Sequence, residues 1–256
     1  SEIRINHNGD FSVAMELIDA ASEAGADAVK FQTFVTEELV TASAPKADYQ
    51  QNTEGKSQRE MLKQYELTPE QHRELQGYCA KKDITFLSTP FESQSLDLLD
   101  RLDVPAIKIG SGELTNLPFL EEVAQVGRPM IVSTGMSTME EVETAVECIR
   151  DANSEVPLAL LHCVSSYPTD IEWVNLRAMQ TMRDRFDCPI GFSDHTMELE
   201  TPGLAAAMGA SIVEKHLTLD RSLPGPDHEA SLEPDEMKRA VEIVRNADRA
   251  QGSPQK

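Results

Sequence analysis

The sequence predicts one domain of the α/β class, a (β/α)8 TIM barrel. Three observations carry that reading. Short apolar runs alternate with amphipathic helical stretches eight times along the chain, the signature of consecutive βα units on a parallel sheet. Polar residues gather at the C-terminal end of nearly every apolar run, where a barrel keeps its chemistry. A chain of 256 residues is also the ordinary size for eight such units in one core. An open doubly wound sheet uses the same alternation, but eight units of this length close most naturally into a barrel.

The elements follow in order. Residues 2–5 form the first strand, which starts so close to Ser1 that it reads as the tail of a longer one. A helix over 12–24 packs the face that begins at Phe11 and ends at Leu17, and the second strand runs over 28–33. Residues 37–66 break the rhythm: this polar stretch, with Pro45, Asn52 and Gly55, reads as a loop over a site, because structureless loops of that length are rare otherwise. A helix over 69–81 leads to strands at 85–89 and 106–109, and Val123 lies on a helix face before the strand at 130–133. A helix over 140–150 precedes the strand at 159–163, and Trp173 is expected to anchor the entry of the next helix. Strands at 190–193 and 211–216 and a helix over 234–249 complete the barrel. The catalytic barrel is thus assigned to 1–250 and a polar tail or truncated linker to 251–256.

Composition narrows the partners. With 23 Lys and Arg against 44 Asp and Glu the chain carries −21, which argues against nucleic acid and anionic membrane surfaces but not against a small anion held by local donors. Cys79, Cys148, Cys163 and Cys188 show no C-x-x-C pair, so they read as free thiols of a reducing cytoplasm rather than a disulfide or zinc framework. Neither a membrane-spanning run nor a signal peptide is read from the sequence.

The strand ends supply the candidates. Lys30 and Lys108 bring charge, and Thr89, Ser111, Ser133 and Ser193 bring short donors beside glycine-rich turns, which together suit a phosphate. A single hydroxyl at a strand end is more often a cap or turn, so the argument rests on the convergence. His195 and His216 end neighbouring strands and suit a divalent cation with open positions, although a lone histidine is more often a hydrogen-bonded core group. Glu2, Glu113 and Asp227 are carboxylates able to act as a base, orient water or hold sugar hydroxyls. His162 and Cys163 read as core at least as well as ligands.

The same motifs resemble the N-acetylneuraminate (sialic acid) synthase family: INHNGD at 5–10, GADAVKFQTF at 25–34, FLSTPF at 86–91, VPAIKIGSGELTNLP at 104–118, IVSTGM at 131–136, LLHCVSSYPT at 160–169, PIGFSDHT at 189–196 and GASIVEKHLTLDRSLPGPDHEASLEPDE at 209–236. The resemblance implies a barrel that condenses phosphoenolpyruvate with N-acetylmannosamine or a related amino sugar, giving a nine-carbon 2-keto acid and phosphate. It implies Mn2+ or Mg2+ on His195 and His216, and phosphoenolpyruvate on Lys30, Lys108, Thr89, Ser111, Ser133 and Ser193. Gln32, Tyr167 and Asp227 would face the sugar, with Glu2 and Glu113 near the reacting carbons. Such enzymes usually continue into a C-terminal antifreeze-like domain that lends an arginine across a homodimer; this sequence ends before it. Ser165 stands where several N-acetylneuraminate synthases have asparagine, which leaves legionaminic or pseudaminic acid synthesis as alternatives. Two further readings stay open: condensation on a shorter sugar phosphate, and a truncated barrel that binds phosphoenolpyruvate and metal without efficient turnover.

Overall fold

The computed structural model describes residues 1–41, 44 and 57–253. Eight parallel strands, β1 (Glu2–Arg4), β2 (Ala28–Thr33), β3 (Thr85–Pro90), β4 (Ile107–Ile109), β5 (Met130–Ser133), β6 (Leu158–Cys163), β7 (Ile190–Asp194) and β8 (Val213–Lys215), pair in sequential order. A parallel bridge between Glu2 and His216, and the Leu217 N–H donated to the Glu2 carbonyl at 2.8 Å, bring the first and last strands together. The predicted (β/α)8 barrel is therefore the fold observed.

Between the strands run α1 (Phe11–Glu23), α2 (Thr36–Leu39), α3 (Gln58–Tyr65), α4 (Pro69–Lys81), α5 (Ser93–Arg101), α6 (Leu117–Val126), α7 (Met139–Ala152), α8 (Ala178–Arg185), α9 (Thr201–Ala207) and α10 (Pro234–Gln251). Their starts are written in the sequence. Asp10 caps α1 through the Ser12 and Val13 N–H groups, and Thr68 with Gln71 and Thr138 with Glu141 form reciprocal capping boxes for α4 and α7. Gly127, at φ 79°, stops α6 in the left-handed conformation that favours glycine.

Strand alternation sorts the residues. Val29 and Phe31, and Ile107 and Ile109, join the apolar layer packed by the helices, whereas Lys30, Gln32 and Lys108 line a cavity within the barrel. Phe31 stacks on Phe86 with ring centroids 5.6 Å apart, and Ala14, Leu17 and Val123 are solvent-free as predicted. All four cysteines are free thiols. No helix of the described residues is long and apolar enough to cross a membrane.

The structure corrects several expectations. The loop predicted over 37–66 contains α2 and α3, and Met61, Leu62 and Tyr65 of α3 bury against Ile5 and Phe34 in a second apolar cluster. Its Pro45, Asn52 and Gly55 lie outside the described residues. Trp173 is no helix anchor: it ends a short 3-10 turn, Ile171–Trp173, and is 61 % exposed. The final helix, expected over 234–249, extends to Gln251, whose side-chain amide donates to the Ala206 carbonyl at 3.0 Å.

Candidate active site

At the C-terminal ends of the strands lies a cavity of about 710 Å3. Period-two alternation aims pairs of side chains into it: Glu2 and Arg4 from β1, Lys30 and Gln32 from β2, Ser193 and His195 at the end of β7, and Glu214 and His216 at the end of β8. Of the thirteen residues singled out in the sequence, eleven line it: Glu2, Lys30, Gln32, Thr89, Lys108, Ser111, Ser133, Tyr167, Ser193, His195 and His216. Glu113 and Asp227 stand apart, in an adjoining chamber of about 210 Å3 that shares Arg4, Gln32 and Phe91 with the larger cavity.

On one side the two lysines are held by carboxylates and hydroxyls. Lys30 pairs with Glu2, donates to Thr89 Oγ1 at 3.3 Å and lies 3.8 Å from Glu214 Oε2. Lys108 donates to Ser133 Oγ at 2.6 Å and lies 3.8 Å from Glu214 Oε1, which also accepts from Ser193 Oγ at 2.7 Å. Burial opposes the charged form of Glu2, but Lys30 chiefly, with a hydrogen bond to Glu214 and the charges of Lys108 and Arg4, holds its carboxyl down at about 2. Burial, only partly offset by Glu214, lowers the Lys108 ammonium.

Beside this group, Gly135 donates its N–H to Ser111 Oγ at 2.9 Å, and Ser111 Oγ lies 3.2 Å from Cys163 Sγ. A Cβ on Gly135 would collide with the Ser111, Cys163 and Ser165 side chains, so any other residue there would push these groups aside.

On the other side sits an aromatic and imidazole cluster. The His195 and His216 rings lie 5.2 Å apart edge to face, and the Tyr167 ring is 4.3 Å from His195 and 5.7 Å from His216. The Arg4 guanidinium lies 5.2 Å over Tyr167 and pairs with Asp227 at 2.9 Å. Burial lowers both histidines, His216 further because His195 and Arg4 stand nearby, which favours the neutral form of each ring. His195 donates Nδ1–H to the Val164 carbonyl at 2.6 Å, which leaves Nε2 as the lone-pair nitrogen, while His216 Nδ1 is buried with no hydrogen-bond partner among the described residues. With His195 Nε2 meeting only Ser193 Oγ, at 3.4 Å, and His216 Nδ1 unpartnered, the two imidazoles fit a divalent cation. Among the described residues no group of three or more His, Cys, Asp and Glu side chains is arranged to hold one, so water or substrate oxygens would complete its shell.

Sequence reasoning missed Arg4 and Glu214. Both lie two residues from a candidate on the same strand, Arg4 after Glu2 and Glu214 before His216, so the alternation already present could have found them.

The NeuB family profile matches residues 17–256. The N,N'-diacetyllegionaminic acid synthase of Legionella pneumophila is 48 % identical over 261 residues, a match that covers all of this chain and 73 % of that protein. The human N-acetylneuraminate-9-phosphate synthase is 38 % identical, with coverage of 100 % and 71 %. The crystal structure of an N-acetylneuraminic acid synthetase from Leptospira borgpetersenii in complex with citrate superposes with a TM-score of 0.90 at 36 % identity, covering 100 % of this chain and 85 % of that one. A profile match over nearly the whole length, close relatives and a shared barrel lead to one conclusion: the chain belongs to the NeuB family.

Proposed function

We propose that the barrel joins phosphoenolpyruvate to the aldehyde of an acylamino sugar, releasing phosphate and forming a nine-carbon 2-keto acid. The observation that carries this reading is the division of the cavity: two buried lysines with hydroxyl partners on one side, two neutral imidazoles beside Tyr167 on the other. The first suits a phosphate and the second a cation with an aldehyde oxygen. Residues 1–250 act as the catalytic unit in this reading. The 48 % identity to the Legionella enzyme makes the diacetamido sugar of legionaminic acid synthesis the first candidate, ahead of N-acetylmannosamine.

Lys30, Lys108, Thr89, Ser111, Ser133 and Ser193 bind and orient phosphoenolpyruvate, the lysines exchanging part of their pairing with Glu2 and Glu214 for the ligand's charge. His195 and His216 would hold Mn2+ or Mg2+, which supplies Lewis acidity toward the aldehyde oxygen. Phosphoenolpyruvate C3 attacks the aldehyde carbon, leaving positive charge at C2 and an alkoxide that becomes a hydroxyl by taking the proton released from the water that adds next. Glu2, held ionised by Lys30, orients the water that adds at C2 and accepts its proton. The C–O bond to phosphate then breaks, and the lysines stabilise the departing anion. Tyr167, Gln32 and the Glu113–Asp227 chamber orient the sugar.

Phosphate release from phosphoenolpyruvate, followed with each of these sugars and without sugar, tests the reading. Release should require sugar, vanish with chelator and return with Mn2+ or Mg2+; His195→Ala and His216→Ala should abolish it while keeping the thermal transition. Release that ignores both sugar and chelator refutes the proposal, and a fully active, metal-dependent histidine variant refutes the metal assignment.

A further inference from the structure

Arg4 is unusual in three ways. It is a non-glycine residue at φ 52°, a conformation that costs a bulky side chain energy and that tends to persist at functional sites. The β1–β2 register is irregular between Glu2 and Arg4. The distorted residue then projects a guanidinium to the junction of the two cavities, where it lies over Tyr167 and pairs with Asp227.

The partner of Arg4 is unusual as well. Asp227 is fully buried, and its Oδ2 has no hydrogen-bond partner among the described residues. A buried unsatisfied carboxylate oxygen is costly, and one lining a chamber calls for a donor from a ligand. Beside the pair, Phe34, Leu62 and Phe91 give the chamber an apolar side, with Gln32, Gln58 and Glu113 also in its lining. A single substituent answers all three features: an amide N–H for Asp227, a carbonyl oxygen for the guanidinium and an acyl methyl for the apolar wall. We propose that Arg4, together with Asp227, is the specificity element by which this barrel selects an acylamino substituent of the sugar over a hydroxyl at the same carbon. This rests on the sugar-condensing reading above and adds the group that is recognised and a residue that reads it.

Arg4→Gly accepts φ 52° without strain and removes the guanidinium, and Arg4→Lys keeps a charge for Asp227 but loses the planar fork. With the full chain, phosphoenolpyruvate and Mg2+, each variant is expected to raise KM for N-acetylmannosamine by about tenfold or more, the scale of one charge-assisted contact. KM for phosphoenolpyruvate should stay within about twofold, and the preference for N-acetylmannosamine over mannose should shrink by a similar factor. A preference unchanged in both variants overturns the proposal, as does a parallel rise in KM for phosphoenolpyruvate, which would mark a general disturbance of the barrel mouth. Calorimetric binding of the same two sugars reads the proposal independently of turnover. Lost discrimination in a protein that releases no phosphate would refute the reaction and keep the role of Arg4, whereas equal binding of the two sugars by the unsubstituted chain would refute that role.

Discussion

Lys30 and Lys108 are 5 % and 3 % exposed, yet both carry their ammonium groups at the ends of inward-facing strand positions. Ammonium groups so buried need compensation, which here comes from Glu2 and Glu214. Those carboxylates also hold the lysines in place before any anion arrives. Lys108→Ala is the cleaner probe, because Glu214 still has Lys30 at 3.8 Å and is not stranded without a cation. Loss of a charged contact to a buried phosphate is worth about 1.5–3 kcal/mol, so KM for phosphoenolpyruvate should rise roughly tenfold to a hundredfold. Steady-state kinetics at saturating sugar checks this, and an unchanged KM moves the phosphate elsewhere. Both lysines were legible in the sequence because each lies in a short apolar run that leads to hydroxyls, with glycines as well after Lys108. For Arg4 the alternation with Glu2 points only to the face it shares, since nothing in its neighbours announces a left-handed residue or a partner 223 positions away.

At the level of elements, β7 and β8 meet twice, once on each face. Inside are Ser193, His195, Glu214 and His216; alternating with them, Asp194 and Lys215 form a buried pair at 2.8 Å, and Asp194 also accepts the Thr196 N–H at 2.8 Å. This pair fixes the two strand ends that carry the histidines. Breaking one side strands a buried charge, so Lys215→Met should cost about 3–5 kcal/mol in urea unfolding. Adding Asp194→Asn, which removes the stranded charge and keeps an oxygen for Thr196, should recover at least half of that loss. Equal stability of the single variant and the parent chain would show that the pair does not hold the strands. Strand positions were readable from the sequence because each is a short apolar run with a polar end. The helices α2 and α3 were hidden, because charged residues such as Glu37, Arg59 and Lys63 dilute the pattern, and the apolar triad of α3 packs against Ile5 and Phe34 far from it in sequence.

At the scale of the whole molecule, all six histidines sit below the ordinary imidazole range, in each case first because of burial. His7 and His228 are lowered to about 4. The unfolded chain therefore binds more protons than the folded one between about pH 6.5 and pH 4, and stability is full above that window and lost as pH falls through it. The thermal midpoint should decline as pH drops from 7 toward 4, with the Glu2 pairing lost only at still lower pH, toward 2. His228→Gln, which can retain contacts to Thr218 and Asn8, should flatten the slope between pH 6.5 and 4.5; an identical slope would remove His228 from the account. The barrel as a whole was legible from eight alternations, whereas the separation of Glu113 and Asp227 into a side chamber was not. That separation depends on how the loops after β4 and β8 fold against Arg4, a contact with no local sequence signal.

In the proposed reaction, carbon–carbon bond formation with a sugar aldehyde precedes cleavage of the C–O bond of phosphoenolpyruvate. Phosphoenolpyruvate labelled with 18O at its bridging oxygen, incubated with the chain, Mg2+ and the diacetamido sugar, reports both events in one 31P spectrum. Inorganic phosphate should carry the label and form only when sugar is present. Unlabelled phosphate, or labelled phosphate released at the same rate without sugar, would contradict this reaction.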